Sequence, residues 1–367
     1  MPIHNAPSSL PASANRPGVR ARFTGPLIAA MLACASVAAA QPPAASPRLL
    51  RAGDIDTLPL QQPGQRIAYG TDSLQFGELR LPAVASGERV PIAVILHGGC
   101  WIAPFATLRN TAPLADALTA QGIATWNVEY RRSDNPGGGW PGTFRDAADA
   151  ADYVRVLARL HPIDTTRVVL VGHSAGGQLA LWLAGRPSLP AGSALAGGVP
   201  LPVRGVLSIG GVVDLEEFAQ RSGQGCGRGV GMLLGGPPAT LPERVREASP
   251  IRRVPTRLRT VHLAGAQDAI APAAVLESYR AAAQQANDST AVVVIVPGGH
   301  FEPLSPRTPA GDAAIGLILT AVGRSPRRPQ PPAVPSLLRT SPNTGFTAPR
   351  SGGNVQGRST SQSGVAP

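Results

Sequence analysis

Cysteine is scarce in this chain, with three among 367 residues, which excludes a disulfide miniprotein. No segment repeats at a fixed period, which excludes a fibre. No apolar run reaches the roughly 20 residues that a membrane span needs. Lysine is absent, so all 33 basic residues are arginine, and acidic residues are absent from both ends of the chain. That last absence decides what the formal net charge of +11 means. Three arginines lie in residues 1–40 and six in 324–367, leaving 24 basic against 22 acidic residues, a net of +2, for residues 41–323. A nucleic-acid partner would require a basic folded face with stacking aromatics, and a nearly neutral body does not offer one.

The two ends carry readings of their own. Residues 1–40 run from a basic stretch ending at Arg22 through an alanine-rich apolar run, Leu27 to Ala40, to an A-x-A site framed by Ala38 and Ala40. This order predicts a cleaved signal peptide and export to the periplasm or the exterior, with no stable membrane insertion after cleavage. An uncleaved anchor is the alternative. Residues 324–367 are rich in proline, serine, glycine, threonine and arginine and have no apolar period. Such a composition cannot bury enough surface to offset the entropy of ordering, and a disordered, solvated tail is expected.

Between them, short β-rich runs alternate with longer alanine- and leucine-rich segments. Residues 92–96, 123–128, 168–171, 203–209, 261–263 and 292–296 read as buried parallel strands. Residues 109–121, 143–160, 175–185, 271–286 and 309–322 read as crossover helices. Two earlier stretches, near 65–70 and 73–81, read as an antiparallel edge. The expected class is α/β, one domain over 41–323 with a mostly parallel central sheet and helices on both faces. The glycine-rich segment 223–250 is too short for a separate cap domain.

The run into Gly172-His173-Ser174-Ala175-Gly176-Gly177 places a serine between a strand and a helix. Small residues on either side permit a tight turn that lifts the hydroxyl above the sheet, which makes Ser174 the candidate nucleophile. Another strand runs into His97-Gly98-Gly99-Cys100-Trp101. Consecutive glycines let backbone N–H groups approach a developing oxyanion, so Gly98 and Gly99, with the N–H of Ala175, are the candidate oxyanion hole. A serine needs a base. Of the five histidines of the mature region, His300 follows the last strand in Pro297-Gly298-Gly299-His300-Phe301, where this order of elements puts the base. Asp268, in the loop after the preceding strand, is the candidate acid that orients it. Asp214 competes, with a helix N-cap as its alternative role.

In these residues the chain resembles the α/β-hydrolase family: Ser174, Asp268 and His300 in the family's order, with His97-Gly98-Gly99 as the oxyanion loop. It is most similar to the esterase branch that includes acetyl xylan and feruloyl esterases and kynurenine formamidase. The further motifs that carry this likeness are Asn127–Arg132 and Gly137-Gly138-Gly139-Trp140-Pro141. The resemblance implies an α/β-hydrolase fold and hydrolysis of a carboxylic ester or related acyl group through an acyl-enzyme, with no cofactor and no metal. The absence of a long inserted cap suggests short acyl groups and a small-molecule ester substrate.

Glu129, Tyr130, Arg131 and Asp146 are expected to brace the oxyanion loop from beneath, since charges at strand ends persist when paired. Cys100, Trp101 and Trp140 are candidates for the pocket wall, the two tryptophans alternatively for the core. Cys100 and Cys226 remain after removal of residues 1–40, and in an exported protein two cysteines commonly pair; two free thiols are the alternative. A bridge would tie the segment 223–236 to the oxyanion loop. An amide or peptide hydrolase on the same triad is the competing activity. A non-catalytic binding protein would be expected to have lost the base or the acid, and both are present.

Overall fold

The continuous apolar runs of the sequence become the centre of an eight-stranded sheet in the computed structural model, which describes residues 48–221 and 226–325. The strands are β1 (Gln65–Ala68), β2 (Phe76–Arg80), β3 (Val90–Leu96), β4 (Ala124–Val128), β5 (Ile163–His173), β6 (Gly205–Ile209), β7 (Arg259–Gly265) and β8 (Ala291–Val296). Their spatial order is β1-β2-β4-β3-β5-β6-β7-β8. From β4 to β8 every pairing is parallel, and β2 runs antiparallel to both β1 and β4, as the edge read from the sequence required.

The helices are α1 (Ala52–Asp56), α2 (Ala112–Ala120), α3 (Gly142–Asp152), α4 (Val154–Leu160), α5 (Ala175–Gly185), α6 (Leu215–Arg221), α7 (Arg228–Leu234), α8 (Pro242–Ala248), α9 (Ala273–Gln285) and α10 (Pro309–Ala321). They cover both faces of the sheet, which is why the central strands have no polar side. Side chains alternate across a strand. On β3, Ile92, Val94 and Leu96 join a core with α3, α4, α5 and α9, whereas Ala93 and Ile95 join a second core with α1, α2 and α10. On β5, Val168 and Leu170 face the first core and Val169 and Val171 the second. The parallel strands all end at the edge where the loops bearing Gly98, Ser174, Asp268 and His300 begin, the position at which open α/β sheets bind ligands.

Several boundaries differ from the sequence reading. The helix expected over 143–160 is divided at Tyr153, whose ring stacks on Trp126 with centroids 6.1 Å apart. From Cys226 onward, the glycine-rich segment forms α7 and α8, with no large cap among the described residues. Arg324, assigned to the tail by composition, belongs to the domain: its guanidinium donates to the carbonyls of Gln121 and Gly122 and pairs with Glu88. The expectations for residues 1–40 and for 326–367 lie outside the described residues. No helix among the described residues is long and apolar enough to cross a membrane.

Ile318 on α10 is fully buried in the second core, distant in sequence from every candidate site residue except those on the loop after β8. Truncating it removes buried methylenes and leaves a cavity. Ile318→Ala is expected to cost about 2–5 kcal/mol of unfolding free energy, read from the urea midpoint; a loss below about 1 kcal/mol would contradict tight packing beneath α10.

Candidate active site

Ser174 is the N-cap of α5 and sits at φ +53°, ψ −119°. A non-glycine residue at positive φ is strained, and the strain persists because the surroundings fix it. The Ser174 N–H donates to the Ile209 carbonyl of β6 at 2.9 Å, and the Gly177 N–H returns to the Ser174 carbonyl at 2.9 Å. A β-carbon at Gly172 would collide with the carbonyl of Gly176, and one at Gly176 with the carbonyls of Leu96 and His97. The glycines therefore let β3, β5 and α5 close around the serine. All eleven residues of α5 are buried, which anchors the turn from behind.

His300 and Asp268 are joined at 2.7 Å, from Nδ1 to Oδ2. The second carboxylate oxygen, Oδ1, accepts from the N–H groups of Ile270 and Ala271, each at 2.8 Å. Burial by itself raises the Asp268 pKa, but the hydrogen bond and charge of His300 and the two backbone donors outweigh it and hold the carboxyl below its usual range. Asp268 is thus an anion fixed in one orientation, and it turns the imidazole toward the cavity that Ser174 also lines. Asp214 takes its alternative role: Oδ1 accepts from the Glu216 and Glu217 N–H groups at the start of α6.

On the oxyanion loop, Gly99 has φ +99°, followed by Cys100 at +53° and Trp101 at +58°. A β-carbon at Gly98 would stand 2.9 Å from His173 Nδ1 and 3.0 Å from Ser174 Cβ, so the bare backbone of Gly98 lies against the serine. The loop is held from beneath by Glu129. Its Oε1 lies 2.9 Å from His97 Nε2 and accepts from Arg132 Nη1 at 2.6 Å, and its Oε2 accepts from the Leu108 N–H at 3.1 Å. Tyr130 stacks on His97 at 4.3 Å between centroids and donates its hydroxyl to the His97 carbonyl at 2.7 Å. Burial raises the Glu129 pKa, yet His97 and Arg132 bring it below its ordinary value. Arg132, which the sequence reading left out of the brace, pairs with Glu129. Arg131 grips Asp146 with Nε and Nη2, alongside Gln75.

The cavity at Ser174 has a volume of about 210 Å³ and is walled by Cys100, Cys226, Phe105, Ala106, Ile270 and Phe301. Cys100 and Cys226 form a disulfide with Cα atoms 5.1 Å apart, so the segment before α7 is fastened to the oxyanion loop. Trp101 and Trp140 do not line this cavity. Trp101 is fully buried, its indole N–H donating to Gln178 Oε1, and Trp140 packs edge-on against Phe144. Sequence reasoning missed Phe105, Ile270, Phe301 and Ala52. Ile270 lies two residues after Asp268 and Phe301 directly after His300, so their positions carried a signal; Ala52 reaches the site from α1 and left no sequence signal. A hollow of 480 Å³ bounded by Leu183, Pro187, Leu201 and Leu258 contains none of the candidate residues. Among the described residues, no three His, Cys, Asp or Glu side chains converge to hold a metal ion.

Sheet order, serine turn and the acid–histidine pair together define an α/β-hydrolase. Within that class the chain belongs to the BD-FAE family of α/β-hydrolase-like esterases, which matches residues 78–282. No curated protein matches the chain. Among solved structures, it is similar to a truncated carbohydrate esterase from gut microbiota, at 21% identity and TM-score 0.59 over 72% of this chain and 97% of that one. It is also similar to esterase 2 of the planctomycete Thermogutta terrifontis phosphoramylated by tabun, at 18% identity and TM-score 0.56 over 72% and 97%. Esterase B of Lactobacillus rhamnosis gives 17% identity and TM-score 0.60 over 71% and 84%.

Glu129→Gln keeps the shape of the brace and removes its charge, leaving Arg132 buried without a carboxylate. A loss of about 3–5 kcal/mol is expected on chemical denaturation. Because the folded Glu129 pKa is below its ordinary value, the stability it contributes is present above the usual carboxylate range and lost as pH falls through that range. The Tm of the wild type should therefore fall more steeply on acidification than that of Glu129→Gln; parallel curves would contradict the assignment.

Proposed function

We propose that the protein is a serine esterase that hydrolyses carboxylic esters of short acyl groups through an acyl-enzyme. The observation that carries this reading is the 2.7 Å Asp268–His300 pair facing the cavity of the strained Ser174. In the first half-reaction His300 Nε2 accepts the Ser174 hydroxyl proton as the oxygen adds to the ester carbonyl. The N–H groups of the Gly98–Gly99 region and of Ala175 stabilise the resulting oxyanion. His300 returns the proton to the leaving alkoxide, and the C–O bond breaks to give alcohol and acyl-serine. A water, deprotonated by His300, adds to the acyl carbon, and collapse of this second intermediate releases the acid and restores Ser174. Asp268 remains ionised throughout and stabilises the imidazolium.

The cavity volume supports the short-acyl assignment. At about 210 Å³ it lies below the roughly 300–1,000 Å³ usual for ligand pockets, which favours a small acyl group. The aromatic and aliphatic walls favour an uncharged acyl group. The sequence of residues 1–40 supports export to the periplasm or the exterior, and the Cys100–Cys226 bridge fits an oxidising compartment.

A fluorophosphonate probe is expected to label the wild type and not Ser174→Ala; equal labelling of both would remove the serine from the mechanism. Asp268→Asn should keep a folded enzyme while kcat falls by about 10³–10⁴. Across p-nitrophenyl esters, kcat/KM should be highest for acetate to butyrate and drop steeply by octanoate. Faster turnover of N-formylkynurenine or an aminopeptide substrate than of any ester would assign amide hydrolysis instead.

A further inference from the structure

We propose that His173, the residue immediately before Ser174, is a positioning residue that holds the His300 backbone so that its imidazole meets the serine; the proposal rests on the serine esterase reading. His173 ends β5, and its side chain is buried between the two loops that must be in register for catalysis. Its Nε2 donates to the carbonyl oxygen of His300 at 3.0 Å. The rings of His173 and His300 lie 4.5 Å apart between centroids, and Phe301 packs at 5.3 Å from the His173 ring.

A carbonyl can only accept, so the contact fixes the proton of His173 on Nε2 and leaves Nδ1 bare. Nδ1 has no hydrogen-bond partner and abuts Gly98, where an added β-carbon would stand 2.9 Å away. A single ring therefore spans from the oxyanion glycine to the peptide of the base. Burial pushes the pKa of His173 down to about 3, so it gives this hydrogen bond without placing a second positive charge beside His300.

The base loop is gripped on its other side as well. Glu302 Oε2 accepts from the Gly299 N–H at 2.8 Å, and Oε1 accepts from the Leu50 N–H at 2.6 Å. The N–H before His300 and its own carbonyl are thus both held, and Asp268 sets the ring angle. Asp268 holds the His300 ring and Glu302 the preceding N–H, while the His300 carbonyl takes its hydrogen bond from His173. Without the His173 donor, the His300 carbonyl is buried and unpaired, and the loop relaxes to satisfy it. A displacement of about 1 Å at a catalytic group costs about 10²-fold in rate.

The test compares His173→Phe, which keeps a ring and loses the donor, with His173→Gln, which keeps an N–H at similar reach. Steady-state hydrolysis of p-nitrophenyl acetate, the rate of fluorophosphonate labelling and Tm are measured for each. His173→Phe is expected to lower kcat about 10- to 100-fold, with KM within about two-fold and labelling slowed in parallel. His173→Gln should recover most of the kcat. Wild-type kcat in His173→Phe, or equal impairment of both variants, would overturn the proposal. If His173→Phe does not fold, His173→Gln against His173→Met makes the same donor comparison at similar length and volume, with the same deciding outcomes. Failure of the wild type to hydrolyse any ester would instead sink the esterase reading, so the two outcomes are separable.

Discussion

A serine held at φ +53° between β5 and α5 is the constraint that the neighbouring loops accommodate. The turn is affordable only if chains approach it more closely than side chains allow. Gly172 and Gly176 let the strand and helix meet, Gly98 brings the loop after β3 against Ser174 Cβ, and Gly210 leaves room for Asp268 and His300. A β-carbon there would stand 2.9 Å from both Asp268 Oδ2 and His300 Nδ1. Glycines from four segments are thus spent on one point of the fold. The conformational entropy they cost on folding is offset by a double-sided core in which alternate residues of β3 and β5 are buried in opposite directions.

Close approach of bare backbone leaves few side chains to define the loops, and buried carboxylates do this instead. Glu129, Asp146, Asp268 and Glu302 each bridge segments remote in sequence or gather several N–H groups of one loop. A carboxylate with two oxygens and about four acceptor sites can tie a loop, a strand end and an arginine together at once. Burial of these anions is tolerable because donors surround them; leaving one such cluster half satisfied would cost more than an apolar replacement. The Cys100–Cys226 bridge adds a covalent tie from the loop after β3 to the segment before α7.

The sheet was legible because its central strands are covered on both faces and so read as unbroken apolar runs. The serine turn and the histidine loop were legible because the backbone there demands glycine, and glycine is visible in a sequence. What escaped was set by direction and distance. Arg131 and Arg132 are adjacent and chemically alike, and only the exit geometry of β4 decides which of them meets Glu129. Trp101 stands two residues after Gly99, yet at positive φ its indole is turned inward to Gln178 and away from the cavity. Ala52 belongs to a five-residue helix with no strong apolar period, brought to the site by Asn110 and Arg109 bonding to the carbonyls of Ala52 and Leu58.

The histidines show how burial sorts chemically identical side chains. His262 is fully buried against Tyr279, has no hydrogen-bond partner on either nitrogen, and is pushed down to a pKa of about 3 by desolvation. A ring so reluctant to accept a proton is packing material. His173 is equally reluctant and has its one proton committed to the His300 carbonyl. Both nitrogens of His97 face oxygens, Glu129 on one side and the Gly98 carbonyl on the other, so neither is available to a substrate. His161 caps α4 where the chain turns into β5, at the edge of the sheet away from Ser174. His300 alone combines a carboxylate on Nδ1 with a place on the wall of the serine cavity. Two of these histidines face a buried carboxylate, His97 and His300, and of the two only His300 also lines the cavity of Ser174.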